Sequence, residues 1–142
     1  MVRIRKRSKI ATKTNKKKLG TSIEERPEKI NRRMVFGHWE IDLVLGKKTK
    51  NEAVILTLVE RQTRFGLADK LPDKQARTIN QAVKKLQEEY PIYSITADSG
   101  SEFSQLSELP ELKVYFAHPY SSDELVIWLY FILKWGTYFL RL

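Results

Sequence analysis

Gly37-His38-Trp39-Glu40-Ile41-Asp42-Leu43-Val44 and Ser94-Ile95-Thr96-Ala97-Asp98-Ser99-Gly100-Ser101-Glu102-Phe103 are the two stretches on which the fold of this 142-residue chain turns. Each places an aspartate inside, or at the end of, an apolar, strand-like run. A buried carboxylate is costly unless it meets a partner or a metal. Two of them on separate strands suggest a site for a divalent metal. A metal held by carboxylates is the simplest device for cutting or joining phosphodiesters.

Outward from these stretches the pattern stays that of one mixed domain. Trp39–Leu45 is a strand ended by Gly46 and the turn 47–51. Ala53–Glu60 is almost continuously apolar, as in a strand buried on both faces. Phe65–Lys70 makes a third strand. From Ala76 to Tyr90 the period changes, with Ile79, Ala82, Val83, Leu86 and Tyr90 at helical spacing. Pro91 ends that helix, and Ile92–Ala97 is a strand leading into Asp98. A short helix over Ser104–Leu109 and a strand over Lys113–Ala117 complete the series. Three consecutive strands favour an antiparallel meander, and the later alternation favours parallel additions.

The net charge of +9 is unevenly placed. Residues 1–18 hold nine basic side chains and no acidic one: Arg3, Arg5, Lys6, Arg7, Lys9, Lys13, Lys16, Lys17 and Lys18. That leaves 17 of the 26 basic residues to balance the 17 acidic ones. Residues 1–20 therefore read as a basic, disordered arm ahead of a neutral domain. Its expected partner is a polyanion such as a nucleic acid, because each phosphate contact releases a counterion and adds affinity regardless of sequence. Residues 21–35, polar and containing Pro27, read as a linker with one helical turn.

With no cysteine, disulfides and thiolate-held metals are excluded. No secretory signal is visible at the N-terminus, so the cytoplasm is the default location. Leu125–Leu133 carries no charge, and the apolar run to Leu142 reaches 18 residues with Lys134 and Arg141 inside it. A membrane crossing needs about 20, so a packed terminal helix is expected instead.

Oxygen ligands and the lack of cysteine point to Mg²⁺ or Mn²⁺. Spacing alone leaves two readings of Asp42 open, a metal ligand or the partner of Arg61 or Arg64. Glu102, on the turn after Asp98, is expected to orient that loop. Trp39 is expected in the core. His118 is expected either near the site or hydrogen-bonded at a strand end.

The chain resembles the catalytic domain of insertion-sequence DDE transposases of family thirty, within the integrase-like, ribonuclease H-like superfamily. The resembling residues are Ile23-Glu24-Glu25-Arg26-Pro27, Gly37-His38-Trp39-Glu40-Ile41-Asp42 and Leu56-Thr57-Leu58-Val59-Glu60-Arg61-Gln62-Thr63-Arg64-Phe65. They continue with Ile95-Thr96-Ala97-Asp98-Ser99-Gly100-Ser101-Glu102-Phe103 and Phe116-Ala117-His118-Pro119-Tyr120-Ser121-Ser122. The resemblance implies an α/β fold, a ribonuclease H-like mixed sheet with flanking helices, incomplete at the C-terminus. Residues 36–122 would be a partial integrase-like core and 123–142 a divergent apolar tail. Asp42 and Asp98 match the family's first two catalytic, metal-binding aspartates. Glu60, Arg61 and Arg64 match a motif with a structural or DNA-contacting role. The implied reaction is metal-dependent DNA strand cleavage and transfer. The implied partners are DNA and, by self-association or with an intact transposase, further transposase chains; no small-molecule substrate is implied.

The resemblance stops after Ser122. Leu129, Tyr130, Phe131 and Ile132 stand where the family places its third catalytic carboxylate, and no acidic residue follows Glu124. The family's N-terminal helix-turn-helix region is not matched either. The expectation is a fragment left by a change of reading frame, with a weakened metal site and impaired catalysis. The alternatives are a non-catalytic DNA-binding remnant and a ribonuclease H-like nuclease.

Overall fold

The structure, a computed structural model, describes residues 20–45 and 54–118. The basic arm with Arg3, Arg5, Lys6, Arg7, Lys9, Lys16, Lys17 and Lys18 lies outside the described residues. So do the expected turn 47–51 and the expected apolar tail 123–142. Six strands form one mixed sheet: β1 (Thr21–Ser22), β2 (His38–Leu45), β3 (Val54–Glu60), β4 (Gly66–Leu71), β5 (Ser94–Ala97) and β6 (Lys113–Phe116). Their spatial order is β1-β6-β5-β2-β3-β4. The expected meander is present as antiparallel β2, β3 and β4. The expected parallel additions are present as β5 beside β2 and β6 beside β5.

Side chains alternate across the sheet, and the two faces differ in kind. Trp39, Ile41, Leu56, Leu58 and Ile95 point to one face and are almost wholly buried. Against it packs α2 (Ala76–Glu89), whose Ile79, Ala82, Val83 and Leu86 belong to the same core. Each such side chain contributes about 1.5–3 kcal/mol when fully buried. Trp39 also donates its indole N–H to the Pro91 carbonyl at 3.0 Å, tying β2 to the turn that ends α2. The other face carries His38, Glu40, Asp42, Thr57, Ser94 and Thr96. Among the described residues no helix is long and apolar enough to cross a membrane.

Boundaries moved where tertiary contacts overrode local pattern. β5 starts at Ser94 rather than Ile92, because the Tyr93 amide turns to bond the Gly37 carbonyl at 2.8 Å. Gly37 sits at φ +96°, and its missing side chain leaves room for the Tyr93 ring against its backbone. The expected helix over Ser104–Leu109 is replaced by two 3-10 turns, Ser101–Phe103 and Leu106–Glu108. So short a segment before Pro110 cannot repay helix nucleation.

Residues 21–35 correct the linker reading. β1 pairs in parallel with β6, so the stretch is part of the sheet. A 3-10 turn (Ile23–Glu25) and the single-turn α1 (Glu28–Asn31) follow, and Ile30 is buried. Elements this short leave no hydrophobic period to read. Two arginines pin the segment across the polar face of the sheet. Arg26 donates to Thr96 Oγ1 at 3.0 Å and to Asn31 Oδ1 at 2.6 Å. Arg61 reaches the Ile30 carbonyl at 3.5 Å and ion-pairs with Glu40.

That pair is buried on both sides, and the second oxygen of Glu40 has no hydrogen-bond partner among the described residues. Burial pushes Glu40 above the usual carboxylate range, and the charges of Arg61, Arg26 and Arg33 pull it back. Removing one member of a buried pair strands the other. Arg61→Met should therefore destabilise the chain by about 3–5 kcal/mol, and Glu40→Leu/Arg61→Met should recover most of that loss. Urea unfolding of the two variants checks both expectations.

Candidate active site

The position of the two aspartates follows from one register. β2 and β5 pair in parallel as His38 with Ser94, Trp39 with Ile95 and Glu40 with Thr96, each pair differing by 56 in residue number. Asp42 and Asp98 differ by the same 56, so the pairing line carried two residues further brings them to corresponding points. Asp42 stands mid-strand on β2, opposite Thr57 of β3. Asp98 follows the last residue of β5.

Each carboxylate is oriented by the backbone next to it. Asp42 Oδ1 accepts from the Leu43 amide at 2.7 Å, and Asp98 Oδ1 accepts from the Gly100 amide at 2.9 Å. Thr57 donates its hydroxyl to the Asp42 carbonyl at 3.2 Å, fixing the strand at that point. Gly100 has an ordinary extended conformation, so its bareness serves space rather than backbone freedom. A Cβ there would lie 2.7 Å from the Glu102 carboxyl group.

The electrostatics join the three acids. Burial is the main cause raising Asp42 above its ordinary range; the Leu43 amide opposes it, while Asp98 and Glu102 add to it. Asp98 is raised chiefly by burial as well, opposed by the Gly100 amide and reinforced by Glu102. Half-buried carboxylates that repel one another form a local well of negative potential, which a hard cation relieves. Among the described residues no three acidic or histidine side chains gather closely enough to hold a metal on their own. Glu102 thus acts on the pair through its charge.

The other candidates fall elsewhere. Arg61 pairs with Glu40, which leaves the reading of Asp42 as its partner without support. Glu60 is buried, and its carboxylate accepts from the amides of Gly37, Gln62 and Thr63 and from the Thr63 hydroxyl. It anchors the turn between β3 and β4. His118 Nε2 lies 3.3 Å from Glu24 Oε1, at the end of β6. His38, whose pKa is lowered mainly by burial, places Nδ1 2.6 Å from Ser94 Oγ. The Glu40–Arg61 pair was not foreseen. Its signal was a second carboxylate in β2, two residues before Asp42 and on the same face, which had to find a partner.

The raised carboxylates set a pH dependence. The folded state holds its protons more tightly than the unfolded chain, so its stability falls as pH rises through and above the ordinary carboxylate range. Asp42→Asn removes that cost. The metal-free variant should melt higher than the parent at pH 7, with the gain vanishing near pH 3. Added Mg²⁺ or Mn²⁺ should raise the melting temperature of the parent alone. Thermal melts across pH, with and without metal, check this.

No protein-family model matches the chain. It is 60% identical over 123 residues to the probable transposase for insertion-like sequence element IS1161 of Streptococcus salivarius, covering 87% of this chain and 36% of that protein. It is 38% identical over 109 residues to the transposase for insertion sequence element IS4351 of Bacteroides fragilis, covering 72% and 32%. Against transposase InsI for insertion sequence element IS30A of Escherichia coli strain K12, the identity is 37% over 108 residues, covering 72% and 27%. The chain thus spans about a third of the length of the curated relatives it matches. In three dimensions it resembles the catalytic core domain of BIV integrase with a TM-score of 0.53 at 20% identity, covering 69% of this chain and 66% of that one. By sequence the chain belongs to the insertion-sequence transposases, and its described residues have the integrase-type, ribonuclease H-like fold.

Proposed function

We propose that this chain carries the catalytic face of a DNA transposase and that Asp42 and Asp98 bind Mg²⁺ or Mn²⁺ there. The observation that carries the reading is the shared register of the two aspartates on adjacent parallel strands. The donor set fits the group. Mg²⁺ keeps several waters and is commonly held by one or two carboxylates together with substrate phosphates. Burial is the main cause of the raised proton affinity of both aspartates, and the charge of Glu102 adds to it. Bound there, the ion supplies activation of an attacking water or 3′-hydroxyl and stabilisation of the leaving oxygen.

The protein's own part is orientation and field. The Leu43 and Gly100 amides aim the two carboxylates. Glu102 deepens the potential that draws a cation and opposes DNA phosphates until the cation is bound. Arg3, Arg5, Lys6, Arg7, Lys9, Lys16, Lys17 and Lys18 supply loose, salt-sensitive affinity for DNA. The place of action is the cytoplasm, where bacterial DNA lies. Self-association, or association with an intact transposase, belongs to the same reading and is measured by sedimentation of the purified chain.

The activity is proposed to be impaired. Leu129, Tyr130, Phe131 and Ile132 stand where the resemblance places a third carboxylate ligand, and none of these side chains binds a metal. Residues acting as one unit lose most of their effect when one is missing. The alternative is a remnant that binds DNA without cutting it, favoured by the same absence.

Two measurements test this. Mn²⁺ binding should be detectable by calorimetry and abolished in Asp42→Asn/Asp98→Asn; unchanged binding in that variant would sink the proposed site. Metal-dependent nicking of supercoiled DNA should run several orders of magnitude below that of an intact relative and disappear in the same variant. Full-strength nicking refutes impairment, and equal nicking by parent and variant leaves the remnant reading.

A further inference from the structure

The paired register of β2 with β5 ends at Glu40 and Thr96, two residues short of Asp42 and Asp98. On its outer side each aspartate is supported. Asp42 pairs with Thr57 of β3, and the Ala117 amide donates at 2.8 Å to the carbonyl of Ala97, next to Asp98. Between the two aspartates no further pair is present among the described residues. Their separation decides whether one cation can bind both. It is set by the last pair beneath them, about 6.6 Å back along the strands at about 3.3 Å per residue.

Both members of that last pair are held through their side chains. The Thr96 hydroxyl accepts from Arg26 Nη1 at 3.0 Å, and Glu40 ion-pairs with Arg61. Thr96, Glu40 and Arg61 are buried, and Arg26 is half-buried. Neither arginine belongs to β2 or β5, and both are anchored on the stretch 26–31. Arg26 Nε donates to Asn31 Oδ1 at 2.6 Å, and Asn31 Nδ2 donates back to the Arg26 carbonyl at 3.3 Å. Arg61 Nε donates to the Ile30 carbonyl at 3.5 Å. Stability does not require such an arrangement, because well-packed apolar side chains can often replace a buried ion pair without loss. What the directional bonds add is position.

We infer that Arg26 and Arg61 are positioning residues of the metal site: gripping Thr96 and Glu40 from the stretch 26–31, they fix the spacing of Asp42 and Asp98 one step beyond. The inference rests on the proposed binding of Mg²⁺ or Mn²⁺ by those two aspartates. In this role neither arginine touches the ion, and each acts through the strand that it holds. Charge alone would act the other way, because a positive side chain near a cation site weakens it. The sign of the change on removing Arg26 therefore separates positioning from field.

The test is the Mn²⁺ affinity of the full-length chain by calorimetry, with urea unfolding of each variant beside it. Thr96→Val leaves every charge in place and removes the hydroxyl that Arg26 holds. It should weaken Mn²⁺ binding about tenfold, the lower end of the range for groups that orient metal ligands. Thr96→Ser should restore the parent affinity. Arg26→Gln should weaken binding by a similar factor, where charge alone would tighten it. Glu40→Leu/Arg61→Met should show the same weakening although most of its stability is kept. Ser94→Ala loses the contact with His38 on the same face, four residues before Asp98, and should keep the parent affinity whatever it costs in stability. Parent affinity in Thr96→Val, tighter binding in Arg26→Gln, or an equal loss in Ser94→Ala overturns the inference. Mn²⁺ binding that is absent from the parent, or that survives Asp42→Asn/Asp98→Asn, overturns the metal site and this inference with it, so the two failures are read apart.

Discussion

The parallel pairing of β2 with β5 is the constraint on which the rest depends. It is short, three residue pairs, yet it aligns Asp42 and Asp98 and decides which side chains share a face. A slip of one residue would send one aspartate to the opposite face from the other, because the side-chain period along a strand is two. Several features hold the register against such a slip. Trp39 locks onto the Pro91 carbonyl, Gly37 binds the Tyr93 amide, and Arg26 holds Thr96 from outside the sheet. Each acts near the ends of the same two strands.

The two faces of the sheet divide the labour that the register makes possible. The apolar face, with α2 against it, supplies the free energy of folding. The polar face bears groups that cost stability, among them a buried ion pair with one unsatisfied oxygen and two carboxylates raised by burial. Such costs are tolerated where the core is large enough to offset them, and this is the face that carries the proposed site. The segment 21–35 crosses this face and is held by arginines rather than by apolar packing. Positive side chains thus reach the polar side of the sheet, where Arg26 bonds Thr96 and Arg61 bonds Glu40.

The same division explains why the members of one five-residue motif differ in burial. Glu60 and Arg61 fall at the end of β3, where the strand is still buried, and a buried charge must be bonded. Arg64 falls beyond the turn, where the backbone has left the sheet. Position relative to the last ladder bond, rather than residue type, separates the buried members from Gln62, Thr63 and Arg64, which are exposed.

The sequence by itself determined the strand and helix order, the change of period at Ala76, the burial of Trp39, the candidacy of Asp42 and Asp98 and the isolation of charge in the first 18 residues. These are legible because hydrophobic periodicity, proline and glycine stops and charge runs act over a few residues. Only the tertiary structure decided that β1 joins β6 and that Arg61 belongs to Glu40. Those choices rest on residues from about 20 to more than 90 positions apart. No local pattern encodes such a meeting, because the partner is selected by the register of strands that pair only once the chain has folded.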